Sequence, residues 1–429
     1  MNKITRRFLS GASLFALSFG LPTTAARADS IIINTTVTGV TVPHTPTYIA
    51  AQDFIVVTAN GKVSNDIILN TAIIGNNSPI GIDIQSGGIV SGSIINNSGI
   101  ITASTYGIAV QPNGYVGGNI SNGVDGIIVV NPAGTLTTFQ TIAGIADFGT
   151  VSGVIHNSGL INVLAGGQGD VYGIYGTGSD LFLTVENGPA GRIIAIENTN
   201  TAGFVTVDVA GIGLTANSDL QAVVTNGGEI RVVAGAVAFT TAFNPVAVAT
   251  AHAHGIFVSN SGNADGASAN FAHATNTGSM KVKAIAVATD SAWALATGVE
   301  LNVDGGGGAT ATAKFLNKGT TCDPKLANGC MTVSAVATGS GTVFAGARGV
   351  SQSATDATAL AKVSAVNSGQ MVVNAKIVGT TGHAVATAIN QFATVDTGGA
   401  VSAFAKNAGD LLVGANAIGS GYASAYGVV

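Results

Sequence analysis

A short pattern recurs along this chain: Asn-x-Gly, then a large apolar residue four positions after the Asn, then apolar residues at every second position. After Asn226, for example, these positions hold Ile230, Val232 and Ala234. Alternation with a period of two is typical of β-strands that bury one face. Seven copies give seven predicted turn positions: Asn97, Asn157, Asn226, Asn276, Asn317, Asn367 and Asn407.

Two further alternating stretches complete each of the later copies. One has the form Ala-x-Ala-x-Gly/Ala-Val/Ile, as at residues 294–299, and the other leads back to the next Asn, as at residues 311–317. Each repeat therefore supplies three strands in about 40 residues, and no stretch has the 3.6-residue period of a crossover helix.

Parallel strands that are joined by short turns and repeated in register predict an all-β fold, a right-handed parallel β-helix or β-solenoid. One repeat is either one wide winding or two smaller coils, and three strands per repeat favour the wide winding. In a solenoid, equivalent residues stack on one another. The prediction is therefore that five valines form one column: Val232, Val282, Val333, Val373 and Val413.

The copy at Asn317 fits the pattern only if ten residues are inserted after its turn, because Met331 then takes the expected apolar position. The insertion, at residues 321–330, contains Cys322 and Cys330, the two cysteines of the chain. In an oxidising compartment these cysteines are expected to form a disulfide that closes a small loop. The alternative, a metal site, needs further ligands that the neighbouring sequence does not offer.

Residues 1–28 have the features of a secretory signal peptide: a basic start, an apolar stretch, and a small-x-small cleavage site at Ala26-Arg27-Ala28. Residues 29–60 lack the repeat and are predicted to form an N-terminal cap. Residues 61–429 are predicted to form the solenoid. No later stretch has about 18 consecutive apolar residues, so no membrane-spanning helix is expected.

Signals of catalysis are few in this sequence. It has no Gly-x-Ser-x-Gly elbow, no phosphate-binding loop and no His-Glu-x-x-His motif. Acidic residues such as Asp147, Asp170 and Asp180 are scattered, so a paired-carboxylate site would require stacking across windings. We therefore expect no catalytic residue, no cofactor and no metal site.

Three other features have a simple and a functional interpretation. His252 and His254 alternate with inward Ala251 and Ala253, which predicts an ordinary exposed pair or, alternatively, a pH-responsive or metal-binding patch. The segment 166–170 resembles a calcium-binding Gly/Asp repeat but occurs once, which favours a loop. One outward column is a ligand-facing ridge or, as we favour, ordinary surface variation: Tyr106, Tyr172, His254, Thr297, Arg348, Thr387 and Tyr426.

Composition excludes some classes of protein. Of 429 residues, 60 are Gly; charged residues make up 9% and hydrophobic residues 46%, a balance opposite to that of disordered chains. The net charge is −5 and basic runs are absent, which argues against a nucleic-acid partner.

An export signal followed by Gly-, Asn- and Ala-rich strand repeats, such as Asn157-Ser-Gly-Leu-Ile-Asn-Val, resembles the passenger region of bacterial autotransporters. The resemblance covers residues 29–429. It implies a β-helix displayed on the outer surface for adhesion, aggregation or biofilm formation. The family ends in a translocating barrel, whereas this chain ends at Val429 within a repeat. We therefore expect either a fragment of a longer product or export through a separate outer-membrane translocator.

The predicted function is that of an exported structural or adhesive β-solenoid, located at the bacterial cell surface, in the outer membrane or outside the cell. Its expected partners are the translocator and a host or matrix surface ligand, or further copies of itself. One alternative is a β-helical polysaccharide hydrolase or lyase with acids aligned across windings. The other is a self-assembling fibre or matrix component.

Overall fold

The computed structural model describes residues 31–42, 54–70, 73–74, 78–132, 136–261, 269–306, 310–319, 330–395 and 399–429. These residues form 38 strands and no helix, so none of them belongs to a helix that could cross a membrane. Neighbouring strands are parallel, and each winding of the chain adds one strand to each sheet in turn. The fold is a parallel β-solenoid, as predicted. The predicted signal peptide lies outside the described residues.

Each winding passes first through sheet A and, in the early windings, then through sheet B. Sheet A has twelve strands: β1 (Ile31–Ile33), β4 (Ile55–Val57), β8 (Ile80–Ile84), β12 (Tyr106–Val110), β16 (Leu136–Asp147), β20 (Gly167–Gly178), β23 (Phe204–Ala216), β26 (Val248–Asn260), β29 (Ser291–Asp304), β32 (Thr342–Ala357), β35 (Thr381–Val395) and β38 (Tyr422–Val428). Sheet B has five: β2 (Thr36–Val37), β5 (Lys62–Val63), β9 (Ile89–Val90), β13 (Tyr115–Val116) and β17 (Thr150–Val151).

The winding then continues through sheets C and D. Sheet C has eleven strands: β3 (Val40–Val42), β6 (Ile67–Leu69), β10 (Ile94–Asn96), β14 (Ile120–Asn122), β18 (Val154–Asn157), β21 (Leu181–Asn187), β24 (Leu220–Asn226), β27 (Ala269–Asn276), β30 (Thr310–Asn317), β33 (Leu360–Asn367) and β36 (Ala400–Asn407). Sheet D has ten: β7 (Ile73–Ile74), β11 (Ile100–Ala103), β15 (Ile127–Val130), β19 (Leu160–Ala165), β22 (Arg192–Ala202), β25 (Glu229–Phe239), β28 (Ser279–Ala288), β31 (Cys330–Thr338), β34 (Gln370–Gly379) and β37 (Leu411–Gly419).

Equivalent residues stack in columns along the solenoid axis. The five valines of the predicted column are register partners in successive strands of sheet D, from Val232 to Val413. The prediction that the repeats stack in register is therefore confirmed. Inward residues of all four sheets form a single hydrophobic core that extends from Ile33 to Ile389.

The solenoid has two parts with different windings. In the N-terminal part, residues 31–165, windings use all four sheets, and Asn122 follows its ladder neighbour Asn96 by 26 residues. In the C-terminal part, residues 166–429, none of the described residues belongs to sheet B, and the strands of the three remaining sheets are seven to sixteen residues long. Here successive ladder positions lie up to 50 residues apart. Each repeat of about 40 residues is thus one wide winding.

The glycine of the Ala-x-Ala-x-Gly motif has a steric role in sheet A. From Gly81 to Gly349, a glycine occupies this position in every winding, and a large apolar residue of sheet D, from Ile101 to Met371, packs against it. A Cβ added at Gly255 would lie 2.5 Å from the carbonyl oxygen of Gly298 and would overlap the sulfur of Met280. Glycine therefore lets the large apolar residue of sheet D fit against sheet A.

Nine asparagines at the ends of the sheet C strands form a continuous ladder, which is buried from Asn96 to Asn367 and exposed at Asn407. Each side-chain Nδ2 donates to the Oδ1 of the next asparagine at 2.7–2.8 Å. The members are Asn96, Asn122, Asn157, Asn187, Asn226, Asn276, Asn317, Asn367 and Asn407. Such amide stacking is possible because parallel strands bring one asparagine of each winding next to one asparagine of the following winding.

One of the seven predicted turn positions lies outside this ladder. Asn97 lies in the turn, but it is exposed and bonds to Asn70, while Asn96 occupies the buried ladder position. Asn122 and Asn187 were not predicted. The ladder begins at Asn96 because Leu69 precedes it in register, which leaves Oδ1 of Asn96 without a described hydrogen-bond partner.

The insertion leaves the scaffold undisturbed. Asn317 pairs in register with Asn276, and Met331 pairs with Met280. The segment from Asn317 to Met331 is longer than the segment from Asn276 to Met280, yet both pairs keep the register. Cys330 begins β31, whereas Cys322 lies outside the described residues, so the disulfide stays a prediction. The solenoid itself begins earlier than predicted: β1 already pairs with β4, inside the segment 29–60 assigned to a cap.

Candidate functional site

Aromatic, histidine and acidic side chains lie together on the outer face of sheet A. Where the strands of sheet A cross the glycine column, two consecutive residues point inward, such as Gly173 and Ile174. The outward residues before and after them therefore lean toward each other. We call this bend the corner of sheet A. The rings of Tyr172 and Tyr175 stack with their centroids 4.4 Å apart. Edge-to-face contacts extend this corner cluster through Phe148 to Tyr106, with centroid distances of 5.7 and 5.4 Å. Such ring pairs stabilise a packed surface.

The seven residues of the predicted outward file do lie in one column, but they do not all project freely into solvent. Register places its seven residues in one column, together with buried Ala143 and Ala210. Tyr172 covers the backbone at Gly213 in the next winding, because a Cβ there would collide with its ring. Part of the file therefore fills the concave corner of sheet A.

Farther along the corner the packing becomes polar. The His254 ring lies 5.3 Å from that of Phe257, and its Nδ1 lies 3.3 Å from Oε2 of Glu300. Burial acts to raise the pKa of Glu300, but the hydrogen bond and charge of His254, the amide of Asn302 and the charge of Arg348 together lower it. Glu300 is therefore held as a carboxylate.

A pair of carboxylates occupies the adjacent outward column. Asp170 and Asp208 are register partners, and Nδ1 of His252 lies 2.6 Å from Oδ1 of Asp208. Burial and the neighbouring Asp208 carboxylate raise the pKa of Asp170. Sequence reasoning treated Asp170 as isolated because its partner is 38 positions away. His252 and His254 point outward as predicted, whereas His273 lies on sheet C.

A buried acid lies beneath this pair. Glu197 of β22 is fully buried in an inward column that otherwise holds alanines, such as Ala165 and Ala234. Burial raises its pKa to about 9, although the Gly169 N–H and the Thr199 hydroxyl bond to it. Glu197 is thus neutral at pH 7, and its Oε2 has no hydrogen-bond partner among the described residues.

Thr199, which lies beside Glu197, binds the backbone of the glycine-rich segment 166–170. This segment was predicted to be a loop, but β20 begins at Gly167, which has φ of 131°. The Gly167 N–H donates to the Thr199 hydroxyl at 3.0 Å, and that hydroxyl donates to the Gly167 carbonyl. Inward polar groups of sheet D therefore bind the glycine backbone. Within the described ranges, no cluster of His, Cys, Asp or Glu has the arrangement of a metal site.

A file of aromatic side chains lies on the same face in the C-terminal part; Trp293, His383 and Tyr422 are exposed, and Phe344 is half-buried. Trp293, Phe344, His383 and Tyr422 occupy one outward column on four successive strands, and Thr250 precedes them. The Trp293 and Tyr422 residues are 43% and 72% exposed, and the His383 and Tyr422 rings stack at 5.5 Å. Sequence reasoning missed this file, although each member directly precedes an Ala-x-Ala motif.

A shallow groove of about 410 Å³ follows this file. We call it the aromatic groove, and its lining consists of Thr250, His252, Trp293, Leu295, Thr342, Val343, Phe344 and His383. The groove is open to solvent, and its surface is mainly apolar and aromatic with a few polar groups. The groove can hold a flat apolar surface and donate or accept hydrogen bonds at its edges.

Comparison of the chain with protein-family models, curated proteins and solved structures finds no match.

Proposed function

We propose that this protein is an exported β-solenoid that is displayed at a bacterial cell surface and acts in adhesion, aggregation or a biofilm matrix. In this proposal residues 1–28 direct export, and the solenoid serves as a passenger of the autotransporter type that reaches the surface through an outer-membrane translocator. A rigid scaffold that holds contact side chains at regular intervals suits such a role.

The aromatic file is the observation that carries the proposal. Large aromatic side chains that are exposed side by side on a rigid sheet mark interaction surfaces in soluble proteins. Inward columns of the same windings are nearly uniform alanine and valine, whereas the outward column from Thr250 to Tyr422 is rich in rings. Contact side chains therefore concentrate on the outer face of sheet A.

Two measurements test this function. Cells that produce the full chain are labelled with an antibody against the solenoid without permeabilisation, and the mature N-terminus is sequenced. Surface labelling and cleavage after Ala28 are expected. Purified protein is then tested for retention on cell and matrix surfaces. Replacing both Trp293 and Phe344 by alanine should reduce retention about tenfold or more.

The matched control is Phe182→Ala, because Phe182 is an exposed ring on sheet C, 56% accessible and remote from the groove in register. Its retention should equal that of the wild type. Labelling confined to permeabilised cells, or equal loss in both variants, would contradict the proposal.

A second candidate function rests on Asp170 and Asp208. Paired carboxylates with unequal pKa values are the chemistry of polysaccharide hydrolases, where one acid donates a proton and the other acts as base or nucleophile. The raised pKa of Asp170, which lies beside Asp208, fits the role of the proton donor. If the protein is such an enzyme, Asp170→Asn and Asp208→Asn each abolish release of reducing ends from polysaccharides. If the wild type releases none, this candidate is wrong.

A further inference from the structure

Among the residues that the structure describes, those that line the aromatic groove include no Asp, Glu, Lys or Arg. Its polar groups are the hydroxyls of Thr250 and Thr342 and the imidazoles of His252 and His383, and Asp208 fixes the His252 ring through its Nδ1. We propose that this groove binds a linear, uncharged polysaccharide. The inference rests on the proposed function and names the surface ligand.

The first argument is the shape of the partner surface. The faces of Trp293 and Phe344 present negative π-density, and the C–H-rich face of a sugar ring packs against such a surface. The sugar hydroxyls then lie at the ring edge, where the threonine hydroxyls and imidazole nitrogens can bond to them. The groove therefore offers both kinds of contact that a sugar ring needs.

The second argument is the direction in which the aromatic file runs. The file crosses sheet A from strand to strand, so its members repeat along the solenoid axis at about 4.8 Å, the spacing of hydrogen-bonded strands. A ligand that contacts several of these rings has to repeat along the same axis. A linear chain of sugar rings has this property, whereas a single small molecule would use only one or two of the four rings.

The third argument excludes other polymers. An anionic glycan or a nucleic acid needs cationic partners for its charges, and the lining offers no Lys or Arg. A peptide that adds as a β-strand needs free backbone groups, but the strands at the groove are hydrogen-bonded to neighbours on both sides. Of the polymers compared, an uncharged polysaccharide is the one that matches this lining.

Trp293 is the only tryptophan of the chain, so its fluorescence reports directly on the groove. The full chain is titrated with soluble glucan, xylan, mannan and galactan fragments, and with polygalacturonate as an anionic chain. We expect at least one uncharged chain to change the Trp293 emission saturably and polygalacturonate to leave it unchanged. Longer fragments should bind more tightly than single sugars.

The variant Phe344→Ala should weaken this binding about tenfold, the scale of losing one aromatic anchor. Phe392→Ala is the matched control, because Phe392 is an exposed ring on the neighbouring strand β35 outside the groove lining. Its affinity should equal that of the wild type. Circular dichroism checks that both variants keep the fold.

The proposal is overturned if none of the uncharged chains alters the emission at millimolar concentration, if polygalacturonate binds instead, or if both variants lose affinity equally. Surface labelling and retention on cells can still succeed in those cases, and the adhesive function would then stand with a different ligand. Loss of surface labelling together with retained glycan binding would leave the groove assignment intact and reject the display function.

Discussion

The two parts of the solenoid share stacked parallel windings but bury different side chains. Inward positions of the N-terminal part are mostly isoleucine and valine, as at Ile108 and Ile128, whereas those of the C-terminal part are largely alanine, as at Ala253 and Ala284. Each buried CH₂ contributes about 0.8 kcal/mol, so an alanine adds less than an isoleucine. The longer C-terminal strands add more backbone hydrogen bonds per winding. Branched side chains fill short windings, and alanine lets the sheets of wide windings pack closely.

The glycine column, which both parts share, should show the largest effect. Gly107→Ala and Gly255→Ala each place a Cβ 2.5 Å from a carbonyl oxygen of the next winding, so each should destabilise the protein by about 3 kcal/mol or more. Urea unfolding measures this loss. Gly107→Ala should be the more severe change, because branched Ile128 can yield less than flexible Met280.

Gly427 provides the control for this experiment. It holds the same column position in β38, but the nearest atom to an added Cβ is Cδ2 of Leu411 at 3.9 Å. Gly427→Ala should therefore leave the unfolding midpoint nearly unchanged. If Gly255→Ala is as stable as Gly427→Ala, the steric role of the column is wrong.

The asparagine ladder should show an intermediate effect of equal size in the two parts. Asn317→Ala leaves Nδ2 of Asn276 and Oδ1 of Asn367 without partners, which costs about 2–4 kcal/mol. Asn122→Ala breaks the ladder in the same way and should cost the same. Asn97→Ala, at an exposed site, should change stability by less than about 0.5 kcal/mol. Unequal losses for Asn122 and Asn317 would show that the ladder is not a common element.

Measured over one pH unit, the smallest effect is expected at the junction of the two parts, where Glu197 replaces an inward alanine. The folded chain keeps the Glu197 proton up to about pH 9, whereas the glutamate carboxyl of an unfolded chain releases its proton near the ordinary pKa of 4.5. The folded state therefore binds more protons between these values, and stability falls as pH rises. The slope is at most about 1.4 kcal/mol per pH unit.

Glu197→Gln should remove this pH dependence and preserve the neutral hydrogen bonds to the Gly169 N–H and Thr199. Urea unfolding at pH 6, 7 and 8 measures the difference between wild type and variant. Asp125→Asn, at an exposed carboxyl, should leave the wild-type slope in place. A slope in Glu197→Gln equal to that of the wild type would show that Glu197 does not retain its proton on folding.

Much of the fold followed from local patterns, and much of the site did not. Strand alternation, the in-register valine column and the position of the ten-residue insertion were predictable, because a period of two and the repeated Asn-x-Gly are visible in short windows. The Asp170–Asp208 pair and the aromatic file were not predicted, because their members come from different windings. Neighbours across windings are found only once every winding length is known.

By itself the sequence determined the strand period, the inward side chains and the three-strand winding of the later repeats, since these depend on residues close together in the chain. Only the tertiary structure decided register where turn lengths vary. The stacked residues Ile101, Ile128 and Ile161 follow their ladder asparagines by five, six and four positions. Hydrogen bonding between windings and core packing select one alignment from these unequal turns, and that choice places Asn96 instead of Asn97 in the ladder.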